Sequence, residues 1–412
     1  MSSDWPHVKL GSLADFQEGY VNPSQREPSY FDGPVKWLRA TDLNDGLVTN
    51  TSRTLSDKGF NSAGKSAVLF EPGTLAISKS GTIGRLGLLG DHMCGNRAVI
   101  NIKPKPNSVP RYLFFVLRHL RPTIETLAEG SVQKNLYVST LSKLDVPAPS
   151  KGLQQAIADM LGVLDDRITL LRETNTTLEA IAQALFKSWF VDFDPVHAKM
   201  QDRAPEGMDQ ATAALFPDSF EESELGAVPK GWRVGRLDDL LVLQRGFDLP
   251  AQDRTSGDFP IIAASGPSGT HHKAMVKGPG VVTGRSGVLG RVFLELEDFW
   301  PLNTTLWVKE FKAATPCYAY EVLRLIDFKS FNAGSAVPSL NRNHIHGLPY
   351  LQPARPCVDA FEVLASQIHK RCRVNEKQAQ SLVVIRDALL PRLISGQLIS
   401  EHSMKEICNE CT

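Results

Sequence analysis

Two long segments of the chain repeat apolar residues at alternating spacings of four and three, the pattern of one buried seam along a coiled-coil helix. The first seam runs through Ile157, Leu161, Leu164, Ile168, Leu171, Asn175, Leu178, Ala182, Leu185 and Trp189. The second runs through Phe361, Ala365, Ile368, Cys372, Asn375, Ala379, Leu382, Arg386, Leu389 and Leu393. Each pattern predicts a helix of about 40 residues, roughly 60 Å long at 1.5 Å per residue.

Polar residues mark both seams. Each carries one asparagine, Asn175 or Asn375, a residue that can fix helix register at some cost in stability, and Arg386 interrupts the second seam. Pro391, near the end of the second helix, predicts a kink or an early stop. Two arrangements fit: a stalk that dimerises the protein, or a pair of helices within one chain. Because each helix follows a globular segment, we favour an antiparallel pair with a domain at each end and an approximate two-fold axis.

The globular segments also repeat, which indicates a tandem duplication. The matching blocks are WPHVKLGSLADFQEGY from Trp5 and WRVGRLDDLLVLQRGF from Trp232; SGTIGR from Ser80 and SGVLGR from Ser286; YLFFVLR from Tyr112 and YAYEVLR from Tyr318; and GSVQKNL from Gly130 and GSAVPSL from Gly334. The copies are 227, 206, 206 and 204 residues apart, in that order. The first copy therefore holds 21 extra residues before its SGTIGR loop.

Composition is that of a globular protein, with 42% hydrophobic and 22% charged residues among 412, enough for two or more domains. No apolar run approaches the roughly 20 residues of a membrane span. The N-terminus shows no signal peptide. Six cysteines are too few for a disulfide framework. We therefore expect a cytoplasmic protein.

The formal net charge is zero, which at first disfavours a nucleic-acid partner. The charges are unevenly spread, however: residues 192–226 hold nine acidic and two basic residues, so the rest of the chain has an excess of seven basic ones. Clusters such as Arg85, Arg97 and Lys103 predict local basic faces. Ordinary solvated surface charge explains the same distribution equally well.

The two Ser-Gly loops, SGTIGR and SGVLGR, combine glycines, a hydroxyl group and an arginine within six residues. Glycine lets backbone N–H groups approach an anion, and arginine adds a charge-assisted hydrogen bond. Each loop is followed by an asparagine before an apolar strand-like run, Asn96 before AVINI and Asn303 before TTLWV. One such loop is a weak signal, since most are plain turns, but this chain has one in each copy.

Over nearly its whole length, the chain resembles the specificity subunit of type I restriction-modification systems. The strongest resemblance lies in ALFKSWFVDFDPVHAKM (184–200), EGMDQATAALFPDSFEESELGAVPKGW (206–232) and LLPRLISGQL (389–398), together with the Ser-Gly loops. It implies an α+β fold, in which two mixed α/β target recognition domains are separated by two long helices that pack as an antiparallel coiled coil with pseudo-two-fold symmetry. We expect recognition domains at 1–150 and 229–355, spacer helices at 151–192 and 356–396, an acidic linker at 193–228 and a flexible tail at 397–412.

The resemblance also implies a function. Each recognition domain reads one half of a bipartite, asymmetric target in double-stranded DNA, while the helices set the unread spacer and dock two modification subunits that methylate adenine. Motor-nuclease subunits join them to form the restriction enzyme. The specificity subunit itself catalyses nothing. S-adenosylmethionine, ATP and magnesium are therefore expected on partner subunits, and no cofactor on this chain.

Residues shared by the two copies are then expected to form the scaffold or to contact phosphate, because phosphate contacts position a domain without reading sequence. The phosphate candidates are Arg85 and Arg291, with Ser80, Thr82 and Ser286 in the same loops. Base-reading residues should differ between copies; Arg suits guanine and Asn suits adenine in the major groove. The candidates are Arg39, Thr41, Lys79, Arg97, Lys134 and Asn135 in the first copy, and Arg245, Arg285, Thr304, Asn341, Arg342, Asn343 and His344 in the second. For each, an ordinary surface role is the competing interpretation.

The segment LFKSWFVDF predicts a docking surface. Its apolar side chains are Leu185, Phe186, Trp189, Phe190 and Phe193. Two helices cannot cover this much aromatic surface along one seam, and exposed patches of this kind mark interfaces. We therefore expect these residues to bind the modification subunit.

Other classes of protein were weighed against this one. GFNSAGKS (59–66) fits the G-x-x-x-x-G-K-[ST] pattern of a nucleotide-hydrolysing P-loop, which needs a buried strand before it and a helix after it. The flanking sequences suit neither, so ATP binding there is disfavoured. A free-standing adenine methyltransferase is disfavoured because its Asn/Asp-Pro-Pro-Tyr/Phe tetrad is missing. A duplicated coiled-coil scaffold without DNA binding stays open.

No metal site is predicted. Cys408 and Cys411 have C-x-x-C spacing, but zinc normally takes four ligands and no second pair exists. The pairs His271-His272 and His344-x-His346 lack further ligands in the same way.

Overall fold

The chain forms two compact units. The computed structural model describes residues 5–130, 134–332 and 338–398. One unit comprises Met1–Leu171 and Lys377–Thr412, and the other comprises Arg172–Glu376. Each unit therefore combines one globular domain with part of each long helix.

The first globular domain is a mixed fold of short strands and helices. Its strands are β1 His7–Lys9, β2 Ala14–Glu18, β3 Phe31–Leu38, β4 Gly46–Val48, β5 Thr54–Leu55, β6 Leu75–Ser78, β7 Leu86–Leu89, β8 Cys94–Gly95, β9 Val99–Pro104 and β10 Asp145–Pro147. Its helices are α1 Leu10–Leu13, α2 Asp57–Asn61, α3 Pro110–His119, α4 Arg121–Thr126 and α5 Val138–Leu141. The main sheet has the order β2-β9-β6-β7-β4, beside a smaller sheet β5-β3-β8 and the pair β1-β10.

Helix α3 fills the core of this domain. It begins at Pro110, where a missing N–H costs no intrahelical hydrogen bond, and it buries Tyr112 and Phe115 completely. The same cluster contains Ile100 and Ile102, which alternate along β9 and so face one side of the sheet. The amphipathic helix thereby closes one face of the sheet.

Helix α6, Lys151–Phe190, leads from the first domain into the acidic linker. The linker forms helices α7 Asp194–Met200 and α8 Gln210–Ala214 and the hairpin of β11 Phe220–Ser223 with β12 Gly226–Pro229. Asp209 begins α8 by accepting a hydrogen bond from Thr212 N at 2.8 Å. Val196 and Phe216 of the linker are buried in the core of the second unit. The linker is therefore part of that unit's core despite its acidic composition.

The second globular domain repeats the first. Its strands are β13 Arg233–Arg236, β14 Leu241–Arg245, β15 Phe259–Ala263, β16 Gly266–His271, β17 Gly280–Gly284, β18 Val292–Glu295, β19 Trp300–Pro301, β20 Thr305–Phe311 and β21 Pro349–Gln352. Its helices are α9 Leu237–Leu240, α10 Pro316–Leu325 and α11 Arg342–His346. The order β14-β20-β17-β18 reproduces β2-β9-β6-β7, and β13-β21 reproduces β1-β10.

The same backbone hydrogen bonds recur between equivalent residues within each of the two domains. Their N···O distances lie between 2.8 and 3.1 Å. The pairs are Leu10–Leu144 with Leu237–Leu348, Gly19–Val99 with Gly246–Thr305, and Lys79–Ala98 with Arg285–Thr304. The duplication inferred from the sequence is thus a duplication of the fold.

The predicted seams are the buried lines of α6 and of α12, Arg355–Ile394. Every seam position is buried or half-buried. Pro391 lies inside α12, and the helix ends three residues later at Ile394. Neither long helix, nor any other in the described ranges, combines the length and apolar character needed to cross a membrane.

In the second unit the two asparagines of the seams bind each other. Asn375 Nδ2 donates to Asn175 Oδ1 at 2.8 Å, and Asn175 Nδ2 donates to Cys372 O at 2.9 Å. Further along α6, Phe186 packs on Phe361 with ring centroids 5.6 Å apart. Because residue numbers rise along α6 as they fall along α12, the helices run antiparallel in this unit.

In the first unit a buried ion pair replaces an apolar layer. Arg386 Nη1 donates to Asp165 Oδ1 at 2.6 Å, and the arginine side chain is only 7% exposed. Arg118 of α3 donates to the other oxygen of Asp165 at 3.2 Å. Arg386 also lies 2.8 Å from the more exposed Asp387. The charge of Arg386, which interrupts the apolar seam of α12, is therefore neutralised by Asp165 of α6.

Removing the carboxylate of Asp165 should destabilise the first unit, because Arg118 and Arg386 would keep a buried charge without its main partner. We expect Asp165→Ala to lower the free energy of unfolding by about 3–5 kcal/mol, seen as a lower melting temperature in calorimetry. Asp166→Ala is the control, since Asp166 is 68% exposed and its pair with Arg111 contributes about 1 kcal/mol at most. Equal effects of the two substitutions would contradict the role of Asp165.

Candidate nucleic-acid interface

The first Ser-Gly loop is the turn between β6 and β7. Gly81 and Gly84 have φ of 76° and 84°, a backbone conformation that residues with side chains rarely adopt. Ser78 joins the two ends of the turn: its N donates to Arg85 O and its Oγ accepts from Arg85 N, both at 2.9 Å. Thr82 and Arg85 are left exposed.

The second Ser-Gly loop is the same turn between β17 and β18. Gly287 and Gly290 have φ of 83° and 84°. Gly284 N donates to Arg291 O at 3.3 Å, as Ser78 N does to Arg85 O in the first domain. The backbone of the two loops is therefore shared, and the differences lie in the side chains.

A second segment lies against the Ser-Gly loop in each domain. Leu136 N donates to Lys79 O, and its counterpart Leu340 N donates to Arg285 O, both at 2.9 Å. The segments that carry these leucines are the blocks GSVQKNL and GSAVPSL, in which residues 131–133 and 335–337 lie outside the described ranges, as do 333 and 334. Two blocks that are far apart in sequence thus form one surface in each domain.

In the first domain this surface contains a cavity of about 650 Å³. It is lined by Gly81, Thr82, Ile83, Arg85, Arg121, Glu125 and Lys134. Three of the lining side chains are cations and one is an anion. Arg85 and Lys134 are exposed, and their side chains form no hydrogen bond or ion pair with any described residue. This arrangement is suited to an anionic ligand.

Arg121, from α4, is the cavity cation with a partner inside the domain. Its guanidinium donates to both carboxylate oxygens of Asp45, through Nη1 at 3.1 Å and through a shorter Nη2 bond. Asp45 also accepts from Leu86 N at 3.0 Å, which fixes it beside the Ser-Gly loop. Arg121 is therefore held in one orientation at the wall of the cavity.

Arg291 is placed differently from its counterpart Arg85. Arg291 Nη1 donates to Ser265 O at 2.6 Å, and its guanidinium lies 5.4 Å from the centre of the Phe293 ring. The side chain is exposed but already has partners within the domain. The two arginines predicted to contact phosphate thus differ in how free they are to do so.

Two base-reading candidates of the first domain have ionic partners. Lys79 Nζ lies 2.6 Å from Glu18 Oε2. Arg39 donates to Ser52 Oγ, and its Nε lies 3.7 Å from Asp42 Oδ2. Both side chains are therefore positioned by the fold itself.

The remaining candidates of the first domain differ in exposure. Thr41 and Arg97 are exposed, whereas Ser80 and Asn135 are half-buried. Asn135 exchanges backbone hydrogen bonds with Glu129 at 2.8 and 3.0 Å. Of these four, Thr41 and Arg97 present the most accessible side chains.

Several candidates of the second domain serve the fold. Arg285 Nη1 donates to Asn303 O at 3.3 Å, and Thr304 Oγ1 accepts from Ala264 N at 3.3 Å. Asn341 caps α11 by accepting from Asn343 N at 3.0 Å. The other partnered candidates are Arg245, 3.4 Å from Asp248, and Ser286, in a backbone bridge with Ser339.

Helix α11 presents the accessible candidates of the second domain. Arg342, Asn343 and His344 are exposed. The next turn is anchored instead by His346, whose Nε2 accepts from Leu243 N at 2.9 Å. Burial lowers the pKa of His346, which favours the neutral ring that this bond requires. The helix is thus fixed to the sheet at one end and displays three polar side chains at the other.

Comparisons with known proteins agree on one family. Residues 2–180 match the family model of the type I restriction modification DNA specificity domain. The chain is 24% identical to the type I restriction enzyme MjaIX specificity subunit of Methanocaldococcus jannaschii, over 97% of this chain and 94% of that protein. It is 26% identical to the HindI specificity subunit of Haemophilus influenzae, over 72% and 79% of the two chains.

A solved structure has the same fold. The crystal structure of a type I restriction-modification S subunit from M. genitalium superposes with a TM-score of 0.60 at 18% identity, over 95% of this chain and 96% of that one. Residues 2–180 thus match the DNA specificity domain, and the chain as a whole is similar to type I restriction-modification specificity subunits. The resemblance and the fold class predicted from the sequence are confirmed. The matching strand order and backbone bonds extend the fold of the first domain to the second.

The predicted docking surface at the end of α6 is wrong as an exposed patch. Phe186, Trp189 and Phe190 are between 2% and 7% exposed, and Leu185 and Phe193 pack against the same core. Their cover is Phe216 of the linker, Trp232, Tyr318 of α10 and Phe361 of α12. The aromatic side chains exceed what a two-helix seam can bury because they belong to the core of the second unit.

The P-loop pattern at 59–66 has the wrong surroundings for nucleotide binding. Gly59 lies in the short helix α2, where its N donates to Ser56 Oγ at 3.1 Å, and Gly64–Ser66 forms a 3-10 turn. No helix follows this turn before β6. The strand–loop–helix arrangement of a P-loop is therefore missing from this segment.

The histidine pairs noted in the sequence have structural partners. His271 Nδ1 lies 3.1 Å from both the N and the O of Thr255, and His346 binds Leu243 N. Within the described residues no group of three or more His, Cys, Asp or Glu side chains could hold a metal ion. Cys408 and Cys411 lie outside those residues, as does most of the predicted tail.

Sequence reasoning missed Arg121, Asp45 and Glu125. Asp45 lies where the first copy has extra residues, and α4 follows the repeated block YLFFVLR without matching its counterpart. The signal was a difference rather than a similarity: directly after the repeated helix, Arg121 stands where the second copy has Asp327 at the same spacing of 206 residues.

Trp189→Ala and Phe190→Ala should destabilise the second unit rather than affect only the binding of a partner. Each removes a buried aromatic ring, and we expect a loss of about 3–5 kcal/mol in the free energy of unfolding, measured by thermal melting of the full chain. Val191→Ala is the control, because Val191 is exposed next to them. Normal melting of both aromatic variants, together with lost binding to a modification subunit, would restore the original prediction.

Proposed function

We propose that this specificity subunit reads a bipartite, asymmetric target in double-stranded DNA, one half with each recognition domain. The observation that carries the proposal is the combination of one repeated backbone with two different sets of exposed side chains. The Ser-Gly loop and the segment against it recur with the same hydrogen bonds in both domains. A shared scaffold with different reading residues is suited to two unlike half-sites.

The residues shared by the two domains and the residues that differ between them make different kinds of DNA contact. The shared loops supply phosphate contacts, which fix position and register on the duplex. The reading contacts come from accessible side chains that differ between the domains, such as Arg97 in the first and Arg342 with Asn343 in the second. Arginine binds guanine and asparagine binds adenine in the major groove.

The long helices set the gap between the half-sites and dock two modification subunits, and motor-nuclease subunits complete the restriction enzyme. This chain catalyses nothing; methylation with S-adenosylmethionine, and DNA cleavage with ATP and magnesium, belong to the partner subunits. Apolar residues exposed on both helices support two equivalent docking sites. They repeat at the spacing of 204 residues and are 44% to 55% exposed: Met160 and Leu364, Leu170 and Val374, Ile181 and Ile385.

These exposed residues give each unit the same set. The first unit carries Met160, Leu170 and Ile385, and the second carries their counterparts. Exposed apolar side chains along a helix otherwise lower solubility, so their repetition supports a role in binding. They replace the buried aromatic residues of α6 as the proposed docking positions.

Mapping methylated adenines in cells tests the proposed function. With a modification subunit and this chain together, we expect one bipartite motif that is absent when the chain is omitted. Arg342→Ala with Asn343→Ala should relax only one half of the motif, at about 1–3 kcal/mol per lost bidentate contact. Lys230→Ala, in the exposed turn that follows β12, is the control. A motif that stays bipartite and unchanged in the double variant would show that these residues do not read bases.

Charge placed at the docking positions should reduce binding of the modification subunit. Leu170→Lys and Val374→Lys are counterparts, so each alone should reduce the number of bound modification subunits from two to one, and both together should abolish binding. Native mass spectrometry of the purified complex measures the ratio. Thr177→Lys, an exposed position on α6, should leave it unchanged. Two bound subunits in the double variant would locate docking elsewhere.

Shortening both helices by one heptad tests the spacer. Deleting 168–174 and 376–382 keeps the Asp165–Arg386 and Asn175–Asn375 pairs in register, because the seam pattern has the same period. The deletion removes the docking residue Leu170, so the variant also carries Thr177→Leu, which occupies the same place one heptad later. The pair becomes roughly 10 Å shorter at 1.5 Å per residue, and we expect the unread gap to shrink by about three base pairs of 3.4 Å. Deletion of a heptad from only one of the two helices should put the seam residues out of register. A folded, active double deletion that methylates the original motif would show that the helices do not set the gap.

A further inference from the structure

The cavity beside the first Ser-Gly loop is a cationic part of the recognition surface. Arg85 and Lys134 reach it without partners among the described residues, and Arg121 is held at its wall by Asp45. Glu125 is the anion in the lining. With Asp45 counted as well, three cations face two carboxylates and the site keeps a net charge of +1. Arg121 is fixed in advance of any ligand.

Among the described residues of the second recognition domain, the positions that match these three cations hold no such set. Arg291 is bound to Ser265 O and lies over Phe293. With the repeat spacings of 206 before and 204 after this region, the counterpart of Arg121 lies within 325–327, which are Leu, Ile and Asp. The counterpart of Lys134 is Pro338. At these matching positions the free cations therefore lie in the first domain and not in the second.

We propose that the first recognition domain is the electrostatic anchor of this specificity subunit, with Arg85, Lys134 and Arg121 binding DNA phosphate in the cavity, while the second domain contributes little to phosphate binding. The inference rests on the proposed function. It adds that the two domains differ in phosphate binding, a difference that the sequence repeat does not predict. Free arginine and lysine side chains bind phosphate oxygens without the cost of breaking an internal bond. Arg291 has its Nη1 N–H engaged by Ser265 O and its guanidinium over the Phe293 ring, which limits the directions from which a phosphate can approach.

The phosphate belongs to the DNA backbone rather than to a small anion. Gly81, Thr82, Arg85 and Lys134 are all exposed, so the cavity opens directly to solvent, where a duplex can reach it. Its cations come from separate segments of the chain, the Ser-Gly loop, α4 and the segment before Leu136. A strand of DNA that crosses this surface would place phosphate within reach of all three segments.

The salt dependence of DNA binding distinguishes the two domains. The full chain with its modification subunit is titrated with a fluorescent 30-base-pair duplex of unrelated sequence between 50 and 300 mM NaCl. Each lost phosphate contact should flatten the slope of log K against log salt by about 0.9. We expect Arg85→Gln with Lys134→Gln to flatten it by about 1.8 and to weaken binding at least tenfold at low salt. Arg291→Gln should change the slope by less than half of one contact.

Two controls keep the result interpretable. Lys143→Gln removes an exposed positive charge from the same unit outside the cavity and should leave the slope unchanged. Arg121 is left intact in the main variant because its loss would also free Asp45. An equal or larger effect of Arg291→Gln would overturn the inference while leaving DNA binding established. A wild-type complex that binds no duplex, cognate or unrelated, would overturn the proposed function itself.

Inorganic phosphate separates the two sources of the anion. Replacing chloride with phosphate at constant ionic strength should weaken DNA binding equally in the wild type and in the Arg85→Gln, Lys134→Gln variant, if the site is built for the DNA backbone. Competition by millimolar phosphate in the wild type alone would assign the cavity to a free anion and overturn the inference. Ethylation interference on the cognate duplex should map the phosphates lost in the variant to one half-site.

Discussion

The antiparallel pairing of α6 with α12 within each unit is the interaction on which both recognition domains depend. Ile157 and Leu161 of α6 and Leu393 of α12 belong to the core of the first domain. Phe186 and Phe361 occupy the same place in the second. Neither domain has a closed core without both helices. The polar layers at Asn175–Asn375 and Asp165–Arg386 fix the register that brings these apolar residues together, because the hydrogen bond between the asparagines and the ion pair each form in one alignment only.

Much of this fold could be predicted from the sequence, because the deciding patterns are local or repeated. Heptad spacing located both helices, and the duplicated blocks located both domains. The cover over Phe186 and Phe190 could not be predicted, since a heptad pattern identifies one face of a helix and says nothing about what packs on the others. For the same reason Arg386 looked like a break in the seam. Its partner Asp165 lies next to a seam position and has no apolar signature.

The backbone conformation of the candidate interface could be predicted from the sequence, but the ionic and hydrogen-bond partners of its charged side chains could not. Glycine, serine and arginine at fixed spacing identified the two loops, because turns with positive φ have strong residue preferences. The fate of each arginine depends on contacts that are distant in sequence. Arg291 finds Ser265 O, whereas Arg85 finds no partner among the described residues and shares a cavity with Arg121, from a helix outside the repeated blocks. Equivalent residues in the two copies therefore differ in their capacity to bind an anion.

The way the repeat is held together explains why its surface can vary. The contacts that recur within both copies are backbone hydrogen bonds, which need no particular side chain. Where side chains would interfere, glycine stands in both copies: a Cβ on Gly19 would lie 2.2 Å from Asn96 O, and one on Gly246 would lie 2.2 Å from Leu302 O. With the scaffold fixed by backbone and glycine, substitutions at exposed positions such as Arg342 and Asn343 leave the fold unchanged. The exposed side chains of each domain can therefore change without rebuilding its fold.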